Sequence, residues 1–368
     1  MGAFSLLIKP VSSDCNARCR YCYYLKSGGN SAAEKQHPRR MPDEVLNRLI
    51  SAYMGTKQDI YSMVWHGGEP TLMPLSFFQK AISCQKQYAR KGSRISNSIQ
   101  TNGLHVSEDL ARFLGKYRFL CGVSLDGPAR VHDLYRRTAS NGPTHRKVLN
   151  GISTLTAGGV PVNALVLVSR GNVRRPLEVY QYLKDRGFTH IQFIPCVETA
   201  PDGSVPEYAI TGEEWGEFLI RIFNAWFAND TFKISVRLFE SVLAKLVRDT
   251  AIDCYNSSAC DRYLVVEYNG DVYPCDFFVQ PDYKLGNIMD QSFADIRDSA
   301  AYRQFACGKK KWNHECGRCE FLRLCRGDCR KFRRNGGNEP DSLSLLCTGW
   351  KKFFSATIER FEQIAAGL

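Results

Sequence analysis

No stretch of the 368 residues approaches the ~20 consecutive apolar positions that carry a helix across a bilayer. The opening MGAFSLLIKPVSSDC is too short and wrongly built for a secretory signal, and Leu6 stands where a myristoylation site needs Ser or Thr. The chain has no internal repeat and no long low-complexity tract. Its basic runs KPVSS, HPRR and CGKKKW carry no interleaved aromatics, so the net charge of +12 belongs to solvated faces rather than to a base-stacking platform. These absences exclude a membrane span, secretion, a solenoid and a nucleic-acid reader. What remains is a soluble cytoplasmic protein of two or three domains, with 44% apolar residues to build its core.

Cysteine is what the chain has in excess. Fifteen thiols in a reducing cytosol point to metal ligation, because structural disulfides are rare there. They gather at residues 15–22, 254–275 and 316–347, whereas Cys84, Cys121, Cys196 and Cys307 lie apart and read as ordinary buried thiols.

Residues 4–196 alternate two patterns. FSLLIKP, YSMVWHGG, ISNSIQTNG, LCGVSLDG, VNALVLVS and HIQFIPCV are short apolar runs bounded by Gly, Pro or Asn, and read as buried strands. Between them PDEVLNRLISAYM, SFFQKAISCQKQYARKG, SEDLARFLGKYR, HRKVLNGISTLTAGG and PLEVYQYLKDRG follow a helical period. Five crossovers joining six strands imply a parallel sheet wound right-handed. That count suits a partial βα barrel with its site at the strands' C-terminal ends, and a doubly wound open sheet also satisfies it. The polar signatures HGGEP, QTNG, SLDGP and PCVET fall at those ends, so independent loops are expected to converge on one mouth.

Beyond residue 210 the pattern changes. TGEEWGEFLIRIFNAWF and RLFESVLAKLVRD read as two helices, YLVVEYNGDVYPCDFFV as a hairpin about Asn269-Gly270, and GWKKFFSATIERFEQIAA as a closing helix. Residues 307–347 are rich in Cys and poor in apolar periodicity, so metal must replace a hydrophobic core there. KSGGNSAAEKQHPRR is expected to be a mobile loop.

Cys15, Cys19 and Cys22 stand in DCNARCRYCYY as C-x3-C-x2-C. Three thiolates this close can hold three corners of a cubane and leave its fourth iron open to a small molecule. A zinc knuckle would want a fourth protein ligand nearby, and none is evident. With Tyr21 as the aromatic before the last Cys, the motif resembles that of the radical S-adenosylmethionine superfamily. The resemblance implies that the open iron chelates the amino and carboxylate groups of S-adenosyl-L-methionine (SAM), whose reductive cleavage gives a 5′-deoxyadenosyl radical. HGGEP matches the family's SAM-amine motif: Gly67 and Gly68 admit close backbone approach and Glu69 offers an acceptor. Ser124 in SLDGP and Arg136 in HDLYRR match positions that hold SAM's polar end, Arg through its two-pronged fork. Val197 matches the backbone position beside the adenine.

The C-terminal spacing is Cys254-x5-Cys260-x9-Gly270-x4-Cys275, then Cys316-x2-Cys319-x5-Cys325-x3-Cys329, and finally Cys347. It resembles the SPASM domain, while two structural zinc sites are the other reading that such spacing allows. The resemblance implies one auxiliary cluster on Cys254, Cys260, Cys275 and Cys329, and another on Cys316, Cys319, Cys325 and Cys347. Eight ligands leave no open iron, so these clusters carry electrons. Eleven thiolates and three 4Fe-4S clusters of charge 2+ take five units from the formal +12, leaving about +7.

Among SPASM proteins the chain resembles the anaerobic sulfatase-maturating enzymes over nearly its whole length, in SLLIKP, GGEPTL, IQTNG, SLDGP, YPCDF and the closing helix. This implies an α/β fold: a partial (β/α)6 barrel of the radical SAM type over 1–230, a Cys-rich SPASM domain with two auxiliary iron–sulfur clusters over 231–347, and a C-terminal helix over 348–368. It also implies a reaction. An active-site Cys or Ser of an unfolded or nascent sulfatase peptide, C-x-P-x-R or S-x-P-x-R, is oxidised to Cα-formylglycine (3-oxoalanine). The deoxyadenosyl radical takes a Cβ hydrogen, and the auxiliary clusters accept the second electron. A flavodoxin- or ferredoxin-like reductant feeds the first cluster, and the enzyme is expected to be a monomer.

Asp276, directly after Cys275, matches the family's catalytic base, and an anionic cluster beside it is expected to raise its pKa. Tyr24, Gln100 and Asn102 match positions lining the peptide site. His66 is a departure, since the maturases carry Gln before GGEP. Both side chains donate and accept, but only His titrates near neutrality, which bears on substrate choice. The rival enzyme is a radical SAM/SPASM maturase of a ribosomal peptide, forming a thioether, a carbon–carbon crosslink or an epimerised centre. Many of these carry a leader-binding domain ahead of the barrel, for which the 14 residues before Cys15 leave no room.

Overall fold

The computed structural model describes residues 2–25, 39–200, 203–333 and 341–368. The six expected strands are all present, as β1 (Ser5–Lys9), β2 (Ile60–Trp65), β3 (Arg94–Thr101), β4 (Leu120–Ser124), β5 (Val162–Val168) and β6 (His190–Pro195). So are the five crossover helices: α1 (Asp43–Gly55), α2 (Leu75–Tyr88), α3 (Glu108–Lys116), and, after a short α4 (Ala129–Tyr135) that periodicity did not reveal, α5 (His145–Ala157) and α6 (Pro176–Asp185). Among the described residues the sheet is not closed into a barrel. The segment read as a mobile loop lies almost wholly outside the described residues.

The chain forms two compact, interleaved units: Met1–Val123 with Arg137–Val162 and Cys260–Ala306, and Ser124–Arg136 with Asn163–Ala259 and Cys307–Leu368. In the first, β1 to β4 run parallel with Leu7 opposite Val64, Trp65 opposite Ile99 and Gln100 opposite Gly122. Helix α3 begins where Ser107 Oγ accepts from Leu110 N at 3.2 Å, a cap of about 1 kcal/mol.

The C-terminal hairpin joins this same unit. Strands β7 (Ser235–Val236), β8 (Tyr263–Glu267) and β9 (Asp271–Tyr273) follow β6 in the chain, and β8 and β9 pair antiparallel with Val265 opposite Tyr273. Strand β8 then runs parallel to β1, with Lys9 opposite Glu267. Sequence periodicity gave the hairpin but not this pairing, because register between distant strands is set by which faces must be buried together. Here both strands are apolar, Leu6, Ile8, Leu264 and Val266 being wholly buried.

In the second unit, β5, β6 and β7 are parallel neighbours. Helix α7 (Gly212–Asn229) starts with a reciprocal cap between Thr211 and Glu214, and packs with α8 (Arg237–Arg248) and the final helix Cys347–Ala366. Phe223, Phe239, Phe353 and Phe361 fill that contact, with the Phe223 and Phe361 rings 4.5 Å apart. The described part of the Cys-rich segment has only short helices, as its composition demands. Of the four cysteines read as buried, Cys84, Cys121 and Cys196 are, but Cys307 is exposed, because its helix Ala300–Cys307 turns Tyr302, Phe305 and Ala306 inward instead.

Candidate active site

Three loops of the first unit meet at the C-terminal ends of β1, β2 and β3. Gly68 N donates to Ser12 O at 2.7 Å and Glu69 N to Asp14 O at 2.8 Å, so HGGEP is laced to the loop that carries the three thiols. Both glycines are needed for this. Gly67 has φ +106°, and a Cβ at Gly68 would stand 2.0 Å from Asp14 O. The backbone they admit is that of the cysteine loop.

Glu69 is fully buried and saturated. It accepts from Thr71 N (3.0 Å), Thr71 Oγ1 (2.7 Å), Thr101 Oγ1 (2.7 Å) and Asn102 N (2.7 Å). Burial still outweighs these four donors and pushes its carboxyl above the ordinary range. Asn102, expected at the peptide site, also meets the cysteine loop: its Nδ2 donates to Asn16 Oδ1 at 2.8 Å and lies 3.5 Å from Cys15 Sγ. Tyr21 is buried, in keeping with an aromatic packed under the loop.

The β1–β8 pairing builds a second cluster around Asp276. Lys9, 2% exposed, lies 2.7 Å from Glu267 Oε1, 3.6 Å from Asp276 Oδ1 and 4.4 Å from the centre of the Tyr24 ring. Tyr23 and Tyr24 both donate to Asp276 Oδ2, Tyr24 at 2.7 Å. Tyr24 Oη is also 3.1 Å from His66 Nδ1, and Gln100 hydrogen-bonds His66. Asp276 Oδ1, in contrast, is buried without a hydrogen-bond donor among the described residues.

In the metal-free protein these contacts set the proton affinities of two groups. Burial pushes the Asp276 carboxyl up, but Lys9, His66 and the two phenol donors outweigh it and hold the group below the ordinary carboxyl range. Burial draws the His66 pKa below its ordinary value, Asp276 opposing this and Lys9 adding to it. Tyr24, His66 and Gln100 thus gather at Asp276. Lys9, Glu267 and Tyr23 were missed, and their signal was a charge closing each of the apolar strands SLLIK and YLVVE and a second Tyr in YCYY.

In the second unit, the Arg136 fork is closed on Asp126, with Nε to Oδ2 at 2.9 Å and Nη2 to Oδ1 at 3.1 Å. The carboxylate it was expected to meet belonged to a ligand; the one it grips is its own loop's. Asp126 also accepts from Leu167 N at 2.9 Å, which ties SLDGP to β5. Ser124 is half-buried at the end of β4 and Val197 is buried just past β6.

All fifteen cysteines are free of disulfides. Cys316, Cys319, Cys325 and Cys347 line one cavity of the second unit, with Phe321 and Trp350 as its apolar wall. Among the described residues no three His, Cys, Asp or Glu side chains converge as closely as a single metal ion requires. Four soft donors spread around a void fit a multi-iron cluster, which brings its own sulfides to fill the centre. Burial pushes the metal-free Cys325 thiol up to about 12. Cys260 N donates to Ala306 O, and Cys275 Sγ lies 3.6 Å from Tyr263 Oη, within the first unit.

Such a loop, followed by a Cys-rich segment, defines a class. Residues 10–209 match the radical SAM superfamily and residues 254–320 the SPASM iron–sulfur cluster-binding domain. The chain is 36% identical over 373 residues to the serine-type anaerobic sulfatase-maturating enzyme of Bacteroides thetaiotaomicron, covering 95% of this chain and 88% of the relative. With the cysteine-type enzyme of Clostridium perfringens it shares 32% over 368 residues and 99% of each. The solved structure of native anSMEcpe with bound AdoMet and Cp18Cys peptide superposes with a TM-score of 0.93 at 31% identity, over all of both chains. The chain belongs to the anaerobic sulfatase-maturating enzymes.

Proposed function

We propose that this radical SAM enzyme oxidises an active-site Cys or Ser of a sulfatase, in an extended C-x-P-x-R or S-x-P-x-R peptide, to Cα-formylglycine. The observation that carries this reading is the buried, donor-free Oδ1 of Asp276. A carboxylate oxygen without a donor in a dry site is an acceptor awaiting a proton, and the substrate thiol or hydroxyl supplies one. Tyr23 and Tyr24 fix the other oxygen and so orient the carboxylate. Lys9 keeps it ionised, and Glu267 neutralises Lys9 in turn. Gln100 and His66 line the same pocket, and neutral His66 can accept or donate to peptide.

Cys15, Cys19 and Cys22 hold the first 4Fe-4S cluster, with Gly67, Gly68, Glu69, Ser124, Arg136 and Val197 around SAM. SAM bound there supplies the radical that removes the Cβ hydrogen. Cys254, Cys260, Cys275 and Cys329, and Cys316, Cys319, Cys325 and Cys347, hold two auxiliary clusters, three in all, which take the second electron. The barrel occupies about residues 1–230 and the SPASM domain 231–347. A flavodoxin- or ferredoxin-like protein reduces the first cluster of a cytoplasmic monomer; no helix among the described residues is long and apolar enough to cross a membrane.

The test uses anaerobically reconstituted protein, SAM, a reductant, and peptides carrying either motif. Mass spectrometry should find the aldehyde with matched deoxyadenosine. Deoxyadenosine without aldehyde from both peptides, and a crosslinked product from another peptide, would replace this reading with the ribosomal-peptide one.

A further inference from the structure

The turn Gly308–Lys310 carries Lys309 into the interior of the second unit, where it is 1% exposed. Its ammonium donates to the carbonyl oxygens of Cys254 and Tyr255, the latter at 2.7 Å. Both acceptors are neutral. The carboxylate that feels its charge, Asp328, is committed elsewhere, accepting from Ser344 Oγ at 2.6 Å, Trp350 Nε1 at 2.8 Å and Cys329 N at 2.7 Å. The loop is also stiff. Buried Arg333 donates to the carbonyls of Gly327, Lys309, Lys311, Arg326 and Asp328, at 2.6–3.1 Å.

A buried ammonium needs a counter-charge. Lys309 donates to the backbone of Cys254, one of the ligands assigned to an auxiliary cluster, whose metal-bound thiolates would add such a charge. Four thiolates on a cubane of charge 2+ carry a net charge of about −2, which becomes about −3 on reduction. A fixed positive charge against the backbone of a ligand makes that added electron easier to accept.

We propose that Lys309 is a potential-setting residue for the auxiliary cluster assigned to Cys254, Cys260, Cys275 and Cys329. Its buried charge favours the reduced cluster and so favours uptake of the electron released by the substrate. The proposal rests on the cluster assignment above.

The experiment is an anaerobic redox titration followed by electron paramagnetic resonance. It uses full-length protein carrying Cys15→Ala, Cys19→Ala and Cys22→Ala, so that only auxiliary clusters report. Lys309→Gln keeps donors for the two carbonyls and removes the charge, while Lys309→Arg keeps the charge. In the Gln variant one of the two signals should become at least tenfold harder to reduce, about 59 mV for a one-electron couple, while the other stays in place. The Arg variant should titrate close to the native lysine. An unchanged potential in Lys309→Gln, equal shifts in Gln and Arg, or a Gln variant that does not assemble its clusters would each overturn the proposal. A parent protein with a single auxiliary signal would instead remove the cluster assignment itself.

Discussion

At the scale of single residues, the chemistry divides between the two oxygens of Asp276. One is held by Tyr23 and Tyr24, and the other has the Lys9 ammonium 3.6 Å away and no hydrogen-bond donor among the described residues. Asp276→Asn keeps the shape and loses the base, so aldehyde formation should fall by about 10²–10⁴-fold. Deoxyadenosine, made at the other cluster of residues, should persist; both products are measured in one anaerobic reaction. His66 gives a prediction in pH. Its depressed pKa leaves it neutral above the ordinary 6.5 and charged only further into acid. Native protein and His66→Gln should therefore show parallel pH–rate profiles from 6.5 upward, and native rates should drop away only below that. A native profile that diverges between pH 7 and 8 would mean that His66 titrates where burial forbids it.

At the scale of elements, the pairing of β1 with β8 is what brings the charged groups around Asp276 together. It sets Lys9 opposite Glu267 and brings the end of the hairpin, with Asp276, to the loop after β1. Lys9→Met would strand two buried carboxylates, and breaking such a pair costs about 3–5 kcal/mol. A lowered thermal midpoint is expected, partly restored in the double variant Lys9→Met/Glu267→Gln. The contact of HGGEP with the cysteine loop makes a separate prediction. A Cβ at Gly68 would meet the Asp14 carbonyl carbon and oxygen at 2.5 and 2.0 Å, distances that only a shift of backbone relieves. Gly68→Ala should lose SAM cleavage by displacing Cys15 and its neighbours, while the iron of the C-terminal clusters stays bound.

At the scale of the whole molecule, the loop thiols and the cavity thiols come from separate stretches of chain. Cys15, Cys19 and Cys22 lie in one loop after β1, whereas Cys316, Cys319, Cys325 and Cys347 surround a cavity of the second unit. Cys15→Ala should therefore abolish SAM cleavage and still retain about eight of about twelve irons, as read by iron assay and visible absorption. Retention of reductive SAM cleavage in that variant would displace the first cluster from this loop. Uptake of iron by metal-free protein should also release protons, because a free thiol such as Cys325, held at about 12, is bound as thiolate.

The amino-acid sequence by itself determined the six strands and five crossovers, the cysteine spacings, and the hairpin about Asn269-Gly270. These are local properties: hydrophobic period, turn chemistry and ligand spacing act over a few residues. Only the tertiary structure decided that β8 joins β1, that Lys9, Glu267 and Tyr23 stand around the base, that Asn102 turns to Cys15, and that Arg136 grips Asp126. Lys9 and Glu267 are 258 positions apart in the chain, and no local pattern can relate them. The direction of the Asp276 and His66 shifts was decided there too, since a pKa reports the charges and burial that folding brings within a few ångströms.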